Sequence, residues 1–402
     1  MNSTPRSTRS RPTSSATRAT ATTAEPAEAG DVHVPGPRTR QFGGSAPMAS
    51  KLTTSNRAGW SFALPGFGLI AVFIVLPFFF AFYFSLTNQR LISPNPTEFV
   101  GLDNYRSLLG LAVITLEPER DDAGEILRDE DGAIEYPRVR SITRSEDFPQ
   151  YRGMREWFRW QSGETARVVI ASDVVFMKAL VNTFLFVLVV APVQAGLALC
   201  LALLINQRLR GINIFRTIYF MPVVVSIVVV SLLWRFIYDG NDGLLNNLLS
   251  ALSFGAFQGR DWLGDPSTAL GAIMAMSIWQ AVGFHMVIWL SGLQTISPTL
   301  YEAAEIEGAN RWQTFRYVTW PGLRNTAVLI LIVITMQCFA LFAQIDVMTN
   351  GGPLDSTQTL VFQAVERGYG RQDISGGSTI SVILFLIVLS ISLLQRWLTR
   401  ER

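Results

Sequence analysis

Apolar residues fall along this chain in long unbroken runs separated by compact charged links. Six runs, at roughly 60–87, 174–205, 212–238, 268–296, 322–347 and 375–398, are long enough to cross about 30 Å of hydrocarbon as helices. The first reads WSFALPGFGLIAVFIVLPFFFAFYFSL and the last STISVILFLIVLSISLLQRWL. Pro65, Pro77, Pro192 and Pro222 sit in or near these runs, a placement that membrane helices tolerate because neighbouring groups satisfy the freed backbone. The pattern predicts an all-α polytopic membrane protein with six transmembrane helices, the first at 60–88 and the remaining core at 173–398.

The links differ in charge. Arg208, Arg210 and Arg216 crowd the link between the second and third runs, Arg311, Arg316 and Arg324 the link between the fourth and fifth, and Arg396, Arg400 and Arg402 follow the last. The link after the third run instead holds Asp239, Asp242, Asp261 and Asp265 against Arg260. Arginine accumulates on the cytoplasmic side of membrane proteins, so both termini are expected inside, N-in and C-in.

Two segments fall outside the spans. Residues 1–59 begin MNSTPRSTRSRPTSSATRATATTAEPAEAG, with no apolar run to serve as a secretory signal, and read as a disordered basic cytoplasmic tail. An organelle transit peptide is the other reading of such a start, but no clean amphipathic stripe supports it. Residues 89–172 form a long extracytoplasmic link. Its alternating AIEYPRVRSI and β-branched RVVIA suggest a few strands in a small subdomain, with a solvated loop as the alternative.

Composition agrees with a membrane protein. Only 16% of the 402 residues are charged, where soluble domains carry about a quarter. Cys200 and Cys338 lie inside apolar runs and read as small buried hydrophobes, with no metal-ligand spacing. Lysine occurs only at Lys51 and Lys178, and neither follows a phosphate-cradling glycine loop, so ATP hydrolysis would need another polypeptide. His33 is in the tail and His285 is alone in its span. No paired intramembrane carboxylates appear, which counts against an intramembrane protease or a proton-driven carrier. No catalytic residue, metal site or nucleic-acid partner is expected.

The stretch LYEAAEIEGANRWQTFRYVTWP, Leu300 to Pro321, is too polar for a bilayer and too short for a domain. Ser297 and Pro298 suit a helix start, Gly308 a left-handed end, and RWQTFRYV a second short helix. Trp312, Phe315 and Thr319 would share one face of that second helix, and Ala303 and Ala304 would admit a neighbouring backbone. An amphipathic helix lying on lipid is the other reading, opposed by Glu302, Glu305 and Glu307. Docking into a groove of another protein fits better.

This stretch resembles the cytoplasmic EAA loop of binding-protein-dependent ABC importer permeases of the type I fold. Glu302, Ala303, Ala304, Gly308 and Pro321 match its pattern position by position, while Trp320 stands where the family usually has Leu. GLDNY, FRTIYFMPVVVS and MTNGGPLDSTQTLVF are similar to carbohydrate-type permeases, most of all to the maltose and glycerol-phosphate permease half. The resemblance spans about 60–400 and leaves out the tail and most of 110–170. It implies that 297–321 is the coupling loop for separate ABC ATPase subunits, which hold the ATP and magnesium. It also implies a second homologous permease in a heterodimer, an extracytoplasmic solute-binding protein and a plasma-membrane location.

A path for a polyhydroxylated solute needs amides and aromatic faces. Asn182, Gln194, Trp279, Gln280, Gln337, Phe339 and Gln344, with Gln294 and Phe342, are candidates, and interhelical hydrogen bonding is the alternative for each. The expected function is a permease subunit importing a sugar or sugar derivative. The rivals are the same architecture with another cargo and a stand-alone channel or carrier. A membrane-anchored enzyme is disfavoured by the missing catalytic cluster.

Overall fold

The computed structural model describes residues 52–130, 132–207 and 211–399. The tail up to residue 51, with His33 and Lys51, lies outside these, as do Arg208, Arg210, Arg400 and Arg402. The chain divides into two compact units, Met1–Pro65 and Gly66–Arg402. In the first, the described residues are helical from Leu52, the start of α1 (Leu52–Ile70), whereas the apolar pattern extends an unstructured tail to 59.

In the second unit, the helix passes through a π-helical segment at Ala71–Val75 into α2 (Leu76–Ser85). Pro77 cannot donate a backbone hydrogen bond, and its ring crowds the carbonyl four residues earlier. The widened π turn relieves that crowding.

The link after α2 folds. It contains α3 (Asp103–Leu109), β1 (Leu111–Leu116), α4 (Val139–Arg144), β2 (Arg155–Ser162) and β3 (Thr165–Ala171). The strands form one antiparallel sheet in the order β1-β3-β2. One face is buried through Ile114, Leu116, Val168 and Ile170 against Val139 and Met154. RVVIA is therefore a strand, but AIEYPRVRSI is not. Pro137 has no N–H for a ladder, and the chain turns into α4 immediately after it.

The membrane core is built on α5 (Val174–Ile205), α6 (Ile212–Val224), α7 (Ile227–Ile237) and α9 (Ala269–Gln294), with α8 (Leu244–Leu252) between the last two. Ala191, Ala195, Ala198 and Ala202 make a buried small-residue stripe on α5 that lets α9 approach closely. Trp289 on α9 donates its indole N–H to the Ala195 carbonyl at 3.0 Å.

Among the described residues four helical segments are long and apolar enough to cross a membrane: Gly59–Ser85, Val174–Ile205, Ala269–Gln294 and Ile374–Trp397. The third and fifth expected spans are not single straight helices. The α6 and α7 axes differ by 98°, with the break at Val225–Ser226, three residues past Pro222. The expected span 322–347 divides into α13 (Arg324–Phe339) and α14 (Ala343–Met348). At 16 residues α13 is about 24 Å long, short of the hydrocarbon thickness. It also bends by 66° from the helical segment Arg311–Gly322 that leads into it. Counting each bent pair as one span gives up to six.

After α14, α15 (Leu360–Val365) and α16 (Ile374–Thr399) complete the unit. Arg367 ties the N-termini of two long helices together, pairing with Asp173 at 2.7 Å and Asp373 at 2.8 Å.

Candidate functional site

The breaks in the third and fifth spans open onto one cavity of about 450 Å³. Its walls are Val190 and Gln194 of α5, Val223 and Ile227 at the α6–α7 break, Ser277 and Gln280 of α9, and Gln337 of α13. The chain between α13 and α14 closes it with Leu341, Phe342 and Gln344. Irregular backbone at membrane depth is tolerated where it lines a cavity, because the groups it frees can find water or solute there. A threonine supports the second break: Thr359 donates its hydroxyl to the Leu341 carbonyl at 2.9 Å.

Four of the seven path candidates therefore meet: Gln194, Gln280, Gln337 and Gln344, joined by Phe342. No charged side chain lines the cavity among the described residues. Gln194 is fixed, its side-chain amide nitrogen 2.8 Å from Nδ1 of the buried His285. The Ser277 hydroxyl is buried, lines the cavity and finds no hydrogen-bond partner among the described residues. Sequence reasoning passed over Ser277, although it lies three residues before Gln280 and so shares its helix face.

Three candidates lie elsewhere. Asn182 donates to the carbonyls of Ser356 and Gln358, both at 3.0 Å, and so holds the GGP loop against the start of α5. Beside it, Lys178 donates to the Leu354 carbonyl at 2.8 Å. Trp279 packs edge-on against Trp234 with ring centroids 5.4 Å apart. Phe339 is buried edge-on against Phe184. Gln294 is exposed at the end of α9, away from the cavity. These positions have the same composition as the cavity wall and differ only in which way the helix turns them.

The loop after α9 is a second site. It forms α10 (Pro298–Ile306), a turn at Gly308 with φ +74°, α11 (Arg311–Thr314), a π-helical segment at Phe315–Thr319 and α12 (Trp320–Gly322). Pro298 takes the first helical position as expected, but Ser297 makes no side-chain cap and its hydroxyl instead meets that of Thr299 at 2.8 Å. The second helix is capped by Asn310 and Gln313 in a reciprocal box, with hydrogen bonds of 2.8 and 2.9 Å.

The expected face of Trp312, Phe315 and Thr319 holds only in part: Trp312 stacks on Phe315 with ring centroids 5.8 Å apart, and Thr319 leaves it. The π-helical segment shifts the register, so Thr319 is buried near the Tyr301 hydroxyl at 3.2 Å while Trp312 is 70% exposed. Glu302 and Ala303 are exposed on α10 and Ala304 is half-buried. Leu300 and Ile306, not anticipated, add apolar surface, with Ile306 86% exposed. Pro321 sits inside the last short helix.

Residues 194–402 match the family described as the binding-protein-dependent transport system inner membrane component. The chain belongs to that family. The permease is a transport component, and its place is the inner membrane. It is 34% identical to the lactose transport system permease protein LacF of Rhizobium radiobacter over 66% of this chain and 89% of that one. It is 33% identical to the trehalose/maltose transport system permease protein MalF of Thermococcus litoralis, covering 59% of this chain and 78% of that one. Its fold is similar to that in the crystal structure of a bacterial ABC transporter involved in import of the acidic polysaccharide alginate. There the TM-score is 0.61 at 17% identity, covering 88% of this chain and 99% of that one.

Proposed function

We propose that the permease conducts a neutral sugar or small oligosaccharide, delivered by an extracytoplasmic binding protein, through the glutamine-lined cavity. The observation that carries this reading is the cavity's chemistry. Glutamine amides and a serine hydroxyl converge at two helix breaks, and among the described residues the hydroxyl has no hydrogen-bond partner and no charged side chain joins them. Amides can both donate to and accept from hydroxyl groups, whereas an ionic solute would leave its charge unpaired in a low-dielectric site. The sugar-transporting relatives point the same way.

In this account six spans, two of them bent, run with both termini inside, as the arginine distribution favours. The Asn182-held loop and the 89–172 link then lie outside, and Pro298–Gly322 inside. The latter docks into a separate ATPase subunit that binds ATP and magnesium. Glu302 supplies the charged contact, Ala303 and Ala304 the close approach, Gly308 the turn and Pro321 the exit toward α13. A second, related permease completes the membrane portion. ATP can drive the alternation only through its different affinity for the two states.

The test is purification of the tagged chain in mild detergent from its host, with cross-linking from position 302 and mass spectrometry. The account expects a P-loop ATPase cross-linked at residue 302 and a second permease in the same complex. A chain that emerges alone after cross-linking contradicts it and favours a self-contained channel or carrier.

A further inference from the structure

The 89–172 segment holds a second concave site, far in sequence from the transport cavity and outside the residues of the family match. It is a groove of about 870 Å³ between α4 and the edge strand β2. Six charged side chains line it: Arg138, Arg140 and Arg144 from the α4 side, and Arg155, Arg159 and Glu156 from β2. Val139 and Thr143 are buried beneath, and Gly153 turns the chain at one end with φ +83°.

Glu156 is committed to Arg159, with both hydrogen bonds at 2.9 Å. The side chains of Arg138, Arg140, Arg144 and Arg155 make no hydrogen bond or ion pair among the described residues. The segment does not lack carboxylates, since residues 117–135 carry nine acids, yet among the described residues Glu156 is the single acid on the groove wall. Arg155 pairs with Ala171, two residues before the helix cap Asp173, so the groove begins at the foot of the sheet and runs away from α5.

We propose that this groove binds a polyanionic oligosaccharide chain, one carrying carboxylates or phosphates along its length. Five guanidinium groups in one concavity repel one another unless an anion joins them, and each can hold a carboxylate or phosphate oxygen by charge-assisted hydrogen bonds. The volume is in the range that encloses small organic ligands. A protein partner fits less well, because interfaces centre on buried apolar anchors. Among the described residues no exposed large apolar side chain lines the groove, and Val113, Phe158 and Trp160 lie on the opposite face of the sheet from the buried Ile114, Val168 and Ile170. That the groove meets polymers outside the cell rests on the N-in orientation proposed above; that it binds them does not.

The test uses the complete transporter in nanodiscs, titrated with a uronic-acid tetrasaccharide, a glycerol-phosphate oligomer, a neutral tetrasaccharide and hexaglutamate. One or both anionic saccharide probes should bind, and which one does so assigns the carboxylate or the phosphate source. Their affinity should fall steeply between low salt and about 0.5 M salt. Arg140→Ser, Arg144→Ser and Arg155→Ser together should weaken binding by about tenfold or more. Glu156→Gln, which frees Arg159 without removing a cation, should tighten it.

Equal binding of the neutral tetrasaccharide, unchanged binding by the triple variant, or binding of hexaglutamate alone would overturn the proposal. ATP-driven uptake of a neutral sugar, measured on the same variants, should stay at the wild-type level. That readout separates failure of this site from failure of the transport reading.

Discussion

Gly308 shows how one residue decides the shape of the loop after α9, the proposed coupling loop. Its φ of +74° is left-handed, and a Cβ there would meet nothing within 4 Å, so the requirement is conformational and not steric crowding. A non-glycine residue pays about 1–2 kcal/mol in that region, and a β-branched one more. Gly308→Val should abolish ATP-driven uptake while membrane insertion and expression stay normal, and Gly308→Asn should retain much of it. Uptake by Gly308→Val equal to wild type would remove this loop from the mechanism. In the cavity, Gln280→Ala and Gln337→Leu should each raise the KM for solute severalfold, read from uptake kinetics with the ATPase rate in detergent unchanged. The turn at Gly308 was legible because glycine after an acidic helix has one usual purpose. The separation of Gln280 from Trp279 was not, because adjacent helix positions point about 100° apart and only the packed bundle fixes the zero of that angle.

At the scale of elements, close approach of helices replaces bulk. A Cβ on Gly283 of α9 would fall 1.8 Å from the Tyr219 carbonyl oxygen of α6, a backbone atom that cannot swing aside. Gly283→Ala should therefore destabilise the fold by about 1–3 kcal/mol, seen as a lowered Tm in detergent, while Gly271→Ala on the same helix, with open space around it, should not. The link between α8 and α9 is clipped by Arg260, which bonds Asp265 at 2.6 Å and holds its carboxyl down at about 2. Because that carboxyl is depressed, the clip is intact above the ordinary carboxylate range and is lost only as pH falls through about 2. Fluorescence of the nearby Trp262 should accordingly stay flat from pH 7 to 4. A transition near pH 4 would show the clip to be absent. The helix breaks were less legible than the helices. A hydropathy run continues unbroken across Val225–Ser226 and across Ala340–Phe342, since a membrane protein hides its bends among residues as apolar as the spans. Pro222 was the one mark of the first break, and the second carried none.

For the whole molecule, the sequence pattern and the structure meet on a helical membrane protein with a folded segment outside the apolar helices, and the family match places it among inner membrane transport components. The strands of that segment were half visible: RVVIA announces β3, while AIEYPRVRSI pairs only through the isolated bridge of Ile134 to Arg128 and is cut short at Pro137 before the chain enters α4. The arginine groove between α4 and β2 could not be read in advance, because its two walls come from stretches eleven or more residues apart that only the sheet brings together. What joins the parts is one element that runs from the loop after α9 to the cavity. α13 begins at Arg324, directly after Pro298–Gly322, and carries Gln337 into the cavity wall. In the proposed mechanism a shift of the loop would have this helix through which to reach the cavity.

The most direct test is uptake by proteoliposomes containing the permease with its ATPase and partner permease, compared with the permease alone, using a labelled neutral sugar and its binding protein. The account predicts uptake that requires the complete assembly, ATP and the binding protein, and that is lost with Gly308→Val. Uptake by the permease alone, independent of ATP, would contradict it.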